Sequence, residues 1–484
     1  MRPIGNNSGT TNPRGAQFLG VTTSDPKRDA ILATILRLPS LATPPICLPD
    51  IHLKHRTEGP CSFAAATTNT IVPDLTAPSV GCGMGIVATS LTEPDLTPES
   101  LRAFYHEMKS HLGPRYGKLK NMLLWFGLIH RPHLRYDLTI AEFEALVSKG
   151  APAAIRRYQL PRETLQHIDH GGEYTMPEDW KGFALRDVLP RISYRSGRHD
   201  IGYGFKGNHF LELQIVDTIM DEEAARTWGL TQGQVVVMYH GGGGAVSYHV
   251  GRYFGNRKKN NFLQKCVLFL FKAHFHFRLR ALRDWPMRAR SYFFPRPFME
   301  HSLATREGRR LWLATQVSQN YSVGFRMGIF ARITDSMKTV FGSSTTCRLV
   351  WDAPHNVIVK EKLPIGERVV HRHTANPAHE GLPVMLSGFN TTHSLLGVGG
   401  NGAQDFLYSS DHGAGETIHR ARKDGRSHLL IPERTTRIIQ TREPKERTVA
   451  HESDEGLDDV VRPLNDAHIM APVATFRPIA VFKG

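Results

Sequence analysis

Cysteine is scarce in this chain. The five residues, Cys47, Cys61, Cys82, Cys266 and Cys347, are odd in number and scattered over 484 positions. No Cys-x-x-Cys pair occurs among them, which argues against a disulfide framework or a paired-cysteine zinc module and fits a reducing compartment. Long apolar runs are missing too. The most apolar stretch, "CVLFLF" at 266–271, is far too short to span a bilayer. The opening "MRPIGNNSGTTNPRG" lacks the apolar core of a secretory signal. The expected location is therefore the cytoplasm, with no membrane partner. Acidic residues are in the minority, 45 against 60 basic ones, for a net charge of +15 with histidines neutral. An excess of that size favours polyanionic partners such as nucleic acid or nucleotides.

What is present reads as a folded protein. Hydrophobic content of 40% and charged content of 22% exclude wholesale disorder. Residues 1–30, rich in Gly, Asn, Thr and Pro without a period, are expected to form a flexible arm. Helical spacing follows in "ILATILRLP" and in "PESLRAFYHEMKSHLG", where Thr97 or Glu99 is placed to cap and Gly113 to stop. Strand-like runs appear in "FLELQIVD", "QVVVMYH", "CRLVW", "PVMLSGF" and "RPIAVFKG". This irregular mixture predicts an α+β fold without the regular alternation of a doubly wound sheet or barrel.

Residues 252–299 stand apart as a basic tract in which Arg and Lys alternate with Phe275, Phe277, Trp285, Tyr292, Phe293 and Phe294 against one acid, Asp284. That composition suits phosphate neutralisation with base stacking. It equally suits a helix pair whose aromatics face a core while the cations stay wet. A second tract, "RTTRIIQTREPKERTVAHESDEGLDD", mixes both signs and reads as a solvated helix or linker.

The 25 histidines carry the chemistry. Several share one setting, in which a β-run ends and a histidine follows, then small or turn-forming residues. In "GNHFLELQIVD", alternation places His209 with Leu211 and Leu213, and Asn208 with Glu212 on the opposite face. His240 follows "VVVMY" and leads into four glycines, His355 follows "CRLVWDAP", and His412 follows "FLYSSD". One such histidine is ordinarily a satisfied core residue; four strand ends converging would line a pocket. Cys82, between Gly81 and Gly83, offers a thiolate that suits a borderline divalent metal beside neutral imidazoles, or else an inert buried thiol. In "SSDHGAGETIHRARKDG", His412 precedes a helix whose free N–H groups and dipole favour an anion, and an imidazole there is a candidate nucleophile. The glycines after His240 leave room for phosphate oxygens to reach backbone N–H groups.

Taken in order, these stretches resemble the RtcB family of RNA ligases, which join an RNA 3′-phosphate or 2′,3′-cyclic phosphate to a 5′-hydroxyl. The carriers are "LPDIH" at 48–52, "CG" at Cys82, "GNHFLELQIVD", "MYHGGGGA", "QNYSVGFR", "DAPHN", "HGAG" and "RPIAVFKG". The resemblance implies mixed sheets around a deep catalytic cleft, a catalytic domain over 31–484 with a basic insert at about 252–299, and work in tRNA processing or RNA repair. It also implies that Cys82, His209, His240 and His355 bind manganese, that His412 takes GMP from GTP, and that Asn208, Glu212, Asn356, Ser394 and Lys483 hold the nucleotide. RNA and GTP are then the expected partners.

Several positions depart from the family pattern. Ser79 stands where the family has a metal-bridging aspartate, Gly85 and Gly244 where it has arginines, Glu416 in place of the arginine after "HGAG", and His373 at a lysine position. Two alternatives remain beside ligation: an RNA-binding relative without nucleotidyl transfer, and a phosphoesterase acting on RNA ends.

Overall fold

The computed structural model describes residues 15–20, 24–55, 57–110, 117, 120, 123, 129, 132–202, 209–254, 262–278, 282–430, 434–440 and 446–483. Its centre is a nine-stranded mixed sheet. The path runs Pro383–Leu386, Ser394–Gly399, Met470–Lys483, Phe210–Ile219, Gln234–Gly241, Gly83–Thr92 and Cys347–Pro354, with the hairpin Thr435–Gln440 and Arg447–Ala450 added beside Met470–Lys483. All five runs singled out by alternation are strands of this sheet. A second, five-stranded sheet orders Gln17–Phe18, Ile46–His52, Cys61–Thr67, Gly366–His373 and Asn356–Leu363. The α+β class follows from sheets that mix parallel and antiparallel pairs with helices of irregular placement.

Two expectations change. The mixed-charge tract from 434 is not a solvated helix or linker at its start. Thr435–Gln440 pairs parallel with Met470–Lys483, and its Ile438 and Ile439 are buried against the sheet. Charge content hid a strand whose apolar pair is short. Within the stretch expected to be an arm, Gln17–Phe18 pairs with Ile46 and Cys47, and a helix begins at Pro26 behind the Asp25 cap. Thr97, of the two proposed caps, is the one whose hydroxyl accepts the Ser100 N–H, at the start of the helix Pro98–Ser110.

One helix organises the rest. Arg306–Phe341, 36 residues and about 54 Å long, is buried along most of its length, so its polar residues must be satisfied by neighbours rather than water. Gln319 does this by donating to the Ile358 carbonyl at 3.3 Å and accepting the Ile358 N–H at 2.8 Å. Asn320 ties down the Tyr174 N–H and the Val147 carbonyl. Arg326 lies deepest, with Nε 2.9 Å and Nη2 2.8 Å from Asp352 Oδ1, and Nη1 donates to the Gly81 carbonyl. The segment "QNYSVGFR" is therefore structural support, fastening the helix to the loop that carries Cys82.

A second buried ion pair holds the five-stranded sheet. Arg372 meets Glu361 through Nη1–Oε1 at 2.8 Å and Nη2–Oε2 at 2.9 Å. Burial pushes the Glu361 carboxyl up, but Arg372 and His379 outweigh it and hold the group down at about 2. Its stabilisation is therefore complete above the ordinary carboxylate range and lost as pH falls toward 2. Glu361→Gln leaves Arg372 buried and unpaired, and should cost about 3 kcal/mol at pH 7. In urea unfolding, the gap between wild type and variant should narrow steadily from pH 5 to pH 3.

Candidate active site

Strand register brings the expected ligands to one end of the central sheet. Gly83 pairs with both Gly241 and Pro354, and Phe210 pairs with His240, so Cys82, His209, His240 and His355 all sit at or just past the same edge. Cys82 Sγ lies 3.3 Å from His209 Nε2 and 3.4 Å from His240 Nε2. The His240 ring centroid is 5.0 Å from that of His209 and 4.8 Å from that of His355. His412 completes the cluster, its ring 4.4 Å from His355 and 6.2 Å from His240. The alternation read for His209 does not reach it, because the strand begins only at Phe210 and His209 instead meets the Cys82 sulfur.

These donors fit a metal ion. Ligand atoms of Cys82, His240 and His355 lie within 4.8 Å of one another. His355 Nδ1 is buried without a partner among the described residues. Burial keeps the imidazoles neutral, the form that binds metals: His209 is pushed down to about 4, and His240 and His355 well below their ordinary value. It also pushes the Cys82 thiol up to about 12, so an ion must displace its proton. A second donor group, His133, Asp137 and His199, lies apart from these residues, with His199 Nδ1 2.7 Å from Asp137 Oδ2.

His412 is placed by its neighbours. Its carbonyl accepts the Ser387 N–H at 2.9 Å, its ring hydrogen-bonds the Thr374 backbone, and its Nδ1 has no partner among the described residues. Burial, with Lys54 and His52 adding positive charge, pushes its pKa down to about 3, so a lone pair is available at neutral pH. The following helix, Gly415–Lys423, does not leave its first turn open for an outside anion. Asp50 Oδ1 accepts the Thr417 N–H at 2.7 Å and its hydroxyl at 3.1 Å. Asp411 Oδ2 in turn accepts the Asp50 N–H, and burial raises both carboxyls, Asp50 to about 7.

The glycine loop after His240 is likewise partly occupied. Gly242, Gly243 and Gly244 have φ of +118°, +75° and +39°, which explains the residue type. Their neighbourhood uses its own donors: the Gly243 N–H goes to Ser322 Oγ at 3.0 Å and the Ala245 N–H to Asp200 Oδ2 at 2.7 Å. The expected room for phosphate at these two groups is thus filled by protein.

Of the expected nucleotide residues, Asn208 lies outside the described residues. Glu212, Ser394 and Lys483 come together. Gln214 Nε2 donates to Glu212 Oε2 at 2.8 Å and to Ser394 Oγ at 3.2 Å, and Ser394 Oγ also accepts the Gly388 N–H. Val481 pairs with Glu212, so Lys483, two residues on, shares its face. Burial raises Glu212 to about 7 against the opposing pull of Gln214 and Lys483. Asn356 stands on the metal side: its N–H points to the Cys82 carbonyl, Oδ1 accepts the Thr374 N–H at 2.8 Å, and Nδ2 donates to Ser79 Oγ at 3.4 Å. Gln214 had no signal in the sequence beyond sharing the polar face of Glu212. The pair Cys61 and His373, with Sγ 3.5 Å from Nε2, was also missed, since 312 residues separate them.

A sequence model described as tRNA-splicing ligase RtcB matches residues 31–484. The chain belongs to the RtcB family. It is 29% identical over 450 residues to the tRNA-splicing ligase RtcB of Methanopyrus kandleri, covering 83% of this chain and 41% of that protein. The Pyrococcus abyssi protein of the same name is 27% identical over 432 residues, 83% of this chain and 42% of its own. The chain thus spans about two fifths of the length of these curated relatives. The Thermococcus kodakarensis RtcB is 25% identical over 482 residues, covering 93% and 90% respectively.

Two glycines expected to depart from the family pattern, Gly85 and Gly244, are closely approached by neighbouring side chains. A Cβ at Gly85 would lie 2.3 Å from the Tyr239 ring, whose hydroxyl donates to Asp352 at 2.8 Å, so no side chain fits there. At Gly244 a Cβ would meet Asp200 Oδ2 at 2.8 Å. In the basic tract, Lys272 donates to the Tyr292 carbonyl and Arg288 Nε sits 2.9 Å from Glu307, both buried. Arg283, Arg290 and Arg296 stay exposed beside Phe269, Leu270 and Phe294, while Arg257, Lys258, Lys259 and Arg280 fall outside the described residues. Among the described residues no helix is long and apolar enough to cross a membrane.

Proposed function

We propose that this chain is a metal-dependent, GTP-using RNA ligase that joins RNA 3′-phosphate or 2′,3′-cyclic phosphate ends to 5′-hydroxyl ends. The observation that carries this reading is the meeting of His412 with Cys82, His209, His240 and His355 at one sheet edge. In this reading residues 31–484 form the catalytic domain around a deep cleft, and residues 252–299 a basic insert. Cytoplasmic tRNA processing or RNA repair is the setting.

The neutral His412 attacks the α-phosphorus of GTP, a P–N bond forms and pyrophosphate leaves. A cyclic phosphate end must first be opened by water to a 3′-phosphate. An oxygen of that 3′-phosphate then takes the guanylyl group from His412, breaking the P–N bond. The 5′-hydroxyl attacks the activated 3′-phosphorus, and GMP departs with the bridging oxygen as the hydroxyl proton is lost. Cys82, His240 and His355, with His209 beside the sulfur, would hold a divalent ion, which would supply neutralisation of phosphate charge. By family resemblance Asn208, Glu212, Asn356 and Ser394 would hold the nucleotide, and Lys483 adds a cation beside it.

The test is direct. The full chain with a divalent metal and α-phosphate-labelled GTP should acquire acid-labile label, and should join a cyclic-phosphate end to a 5′-hydroxyl end only when GTP is present. Neither label nor joined product would leave the RNA-binding alternative. Cyclic-phosphate opening without label would favour the phosphoesterase.

A pH dependence follows from Glu212. The guanine edge presents two N–H donors, which an ionised carboxylate can accept and a protonated one cannot fully satisfy. With the group near 7, adduct yield at limiting GTP should fall as pH drops from 8 to 6, because protonation removes an acceptor. Glu212→Gln should weaken GTP binding by about tenfold and flatten that pH profile. An unchanged slope in the variant would assign the titration elsewhere, with Asp50 the next group to try.

A further inference from the structure

The donors at the sheet edge are unevenly distributed about the sulfur. Cys82, His240 and His355 form one mutually close set. His209 reaches the same sulfur at 3.3 Å but does not join that set, which includes no carboxylate. Among the described residues, Cys82 and His209 have no third donor that completes a second such set. By the family resemblance, the carboxylate for a second ion stands at position 79, which here is Ser79 in the same loop as Cys82. Its carbonyl accepts the Cys82 N–H at 3.0 Å, and its hydroxyl accepts the Asn356 amide at 3.4 Å. A neutral hydroxyl already engaged by an amide does not replace an anionic ligand. Hard cations such as manganese favour carboxylate and water oxygens, whereas thiolate and imidazole favour zinc or cobalt.

We infer that this site holds one ion, of the thiophilic zinc or cobalt class, on Cys82, His240 and His355, and that Ser79 is what excludes a manganese pair. The inference rests on reading this cluster as the metal centre of the proposed enzyme. Three protein ligands leave a coordination position for substrate oxygen, as in catalytic zinc sites. His209 then orients or caps the sulfur instead of completing a second site.

Metal content tests this without reference to ligation. The full chain, stripped by chelator, is dialysed separately against zinc and against manganese, and against both together, then its metal is counted by elemental analysis. The Cys82→Ser variant subtracts ions held elsewhere, and His133→Ala identifies any held by the His133, Asp137 and His199 group. About one Cys82-dependent ion per chain is expected in each case, with zinc retained over manganese by on the order of tenfold or more from the mixture. Manganese-loaded protein should give the resonance spectrum of isolated ions, and Ser79→Asp should raise the count to about two and introduce the spectrum of a coupled pair. Two Cys82-dependent ions in the wild type, no Cys82-dependent ion at all, or manganese retained over zinc would overturn the inference. So would an unchanged count in Ser79→Asp protein that remains folded by circular dichroism. Absence of ligation with one bound ion would instead count against the proposed function alone.

Discussion

His412→Ala should abolish covalent guanylylation and lower GTP-dependent joining by on the order of 10⁴-fold or more, the scale seen when a covalent nucleophile is deleted. The argument is geometric before it is chemical. The ring stands 4.4 Å from His355, its backbone is pinned to Ser387, and burial leaves it neutral. The alanine variant keeps the backbone hydrogen bond to Ser387 but loses the ring's bond to Thr374, so it should stay folded and keep its metal with a lowered unfolding midpoint. Adduct formation that survives the substitution would move the nucleophile to another imidazole. RNA binding that survives while the adduct vanishes would separate recognition from chemistry.

Arg326→Met should be the most destabilising single change near the site, by about 3–5 kcal/mol. The guanidinium is fully enclosed and carries two tasks: it neutralises Asp352, which also accepts from Tyr239, and it holds the Gly81 carbonyl in the loop before Cys82. Its removal leaves the Asp352 carboxylate buried with one donor, and frees the cysteine loop. Chemical unfolding should therefore show the loss in stability, and metal retention should fall with it. Adding Asp352→Asn removes the stranded charge and should recover part of the stability without restoring metal retention. Full recovery of both would mean that Arg326 serves the ion pair alone.

Much of this arrangement was legible from local signals. The strands at 210–219, 234–241 and 347–354 announce themselves by β-branched alternation, with His209 just before the first, His240 next to last in the second and His355 just past the third. Once three strands are known to be neighbours, their ends must meet, which is why recurrence of one local pattern was informative where any single histidine was not. Other features depend on partners distant in sequence. That the N–H groups after His240 and in the helix after His412 are taken follows from Asp200 and Asp50, neither of which any local rule connects to those turns. The role of Arg326 also rests on a distant partner, since Asp352, against which it is buried, lies 26 residues away on another element. The strand at 435–440 was hidden because the two isoleucines that decide its burial sit in a longer tract rich in charged residues.

The Tyr239 ring that occupies the space over Gly85 links two adjacent strands to one carboxylate. A Cβ at position 85 would push on a ring whose hydroxyl donates to Asp352, so a substitution there should act on the Arg326–Asp352 ion pair without touching either partner.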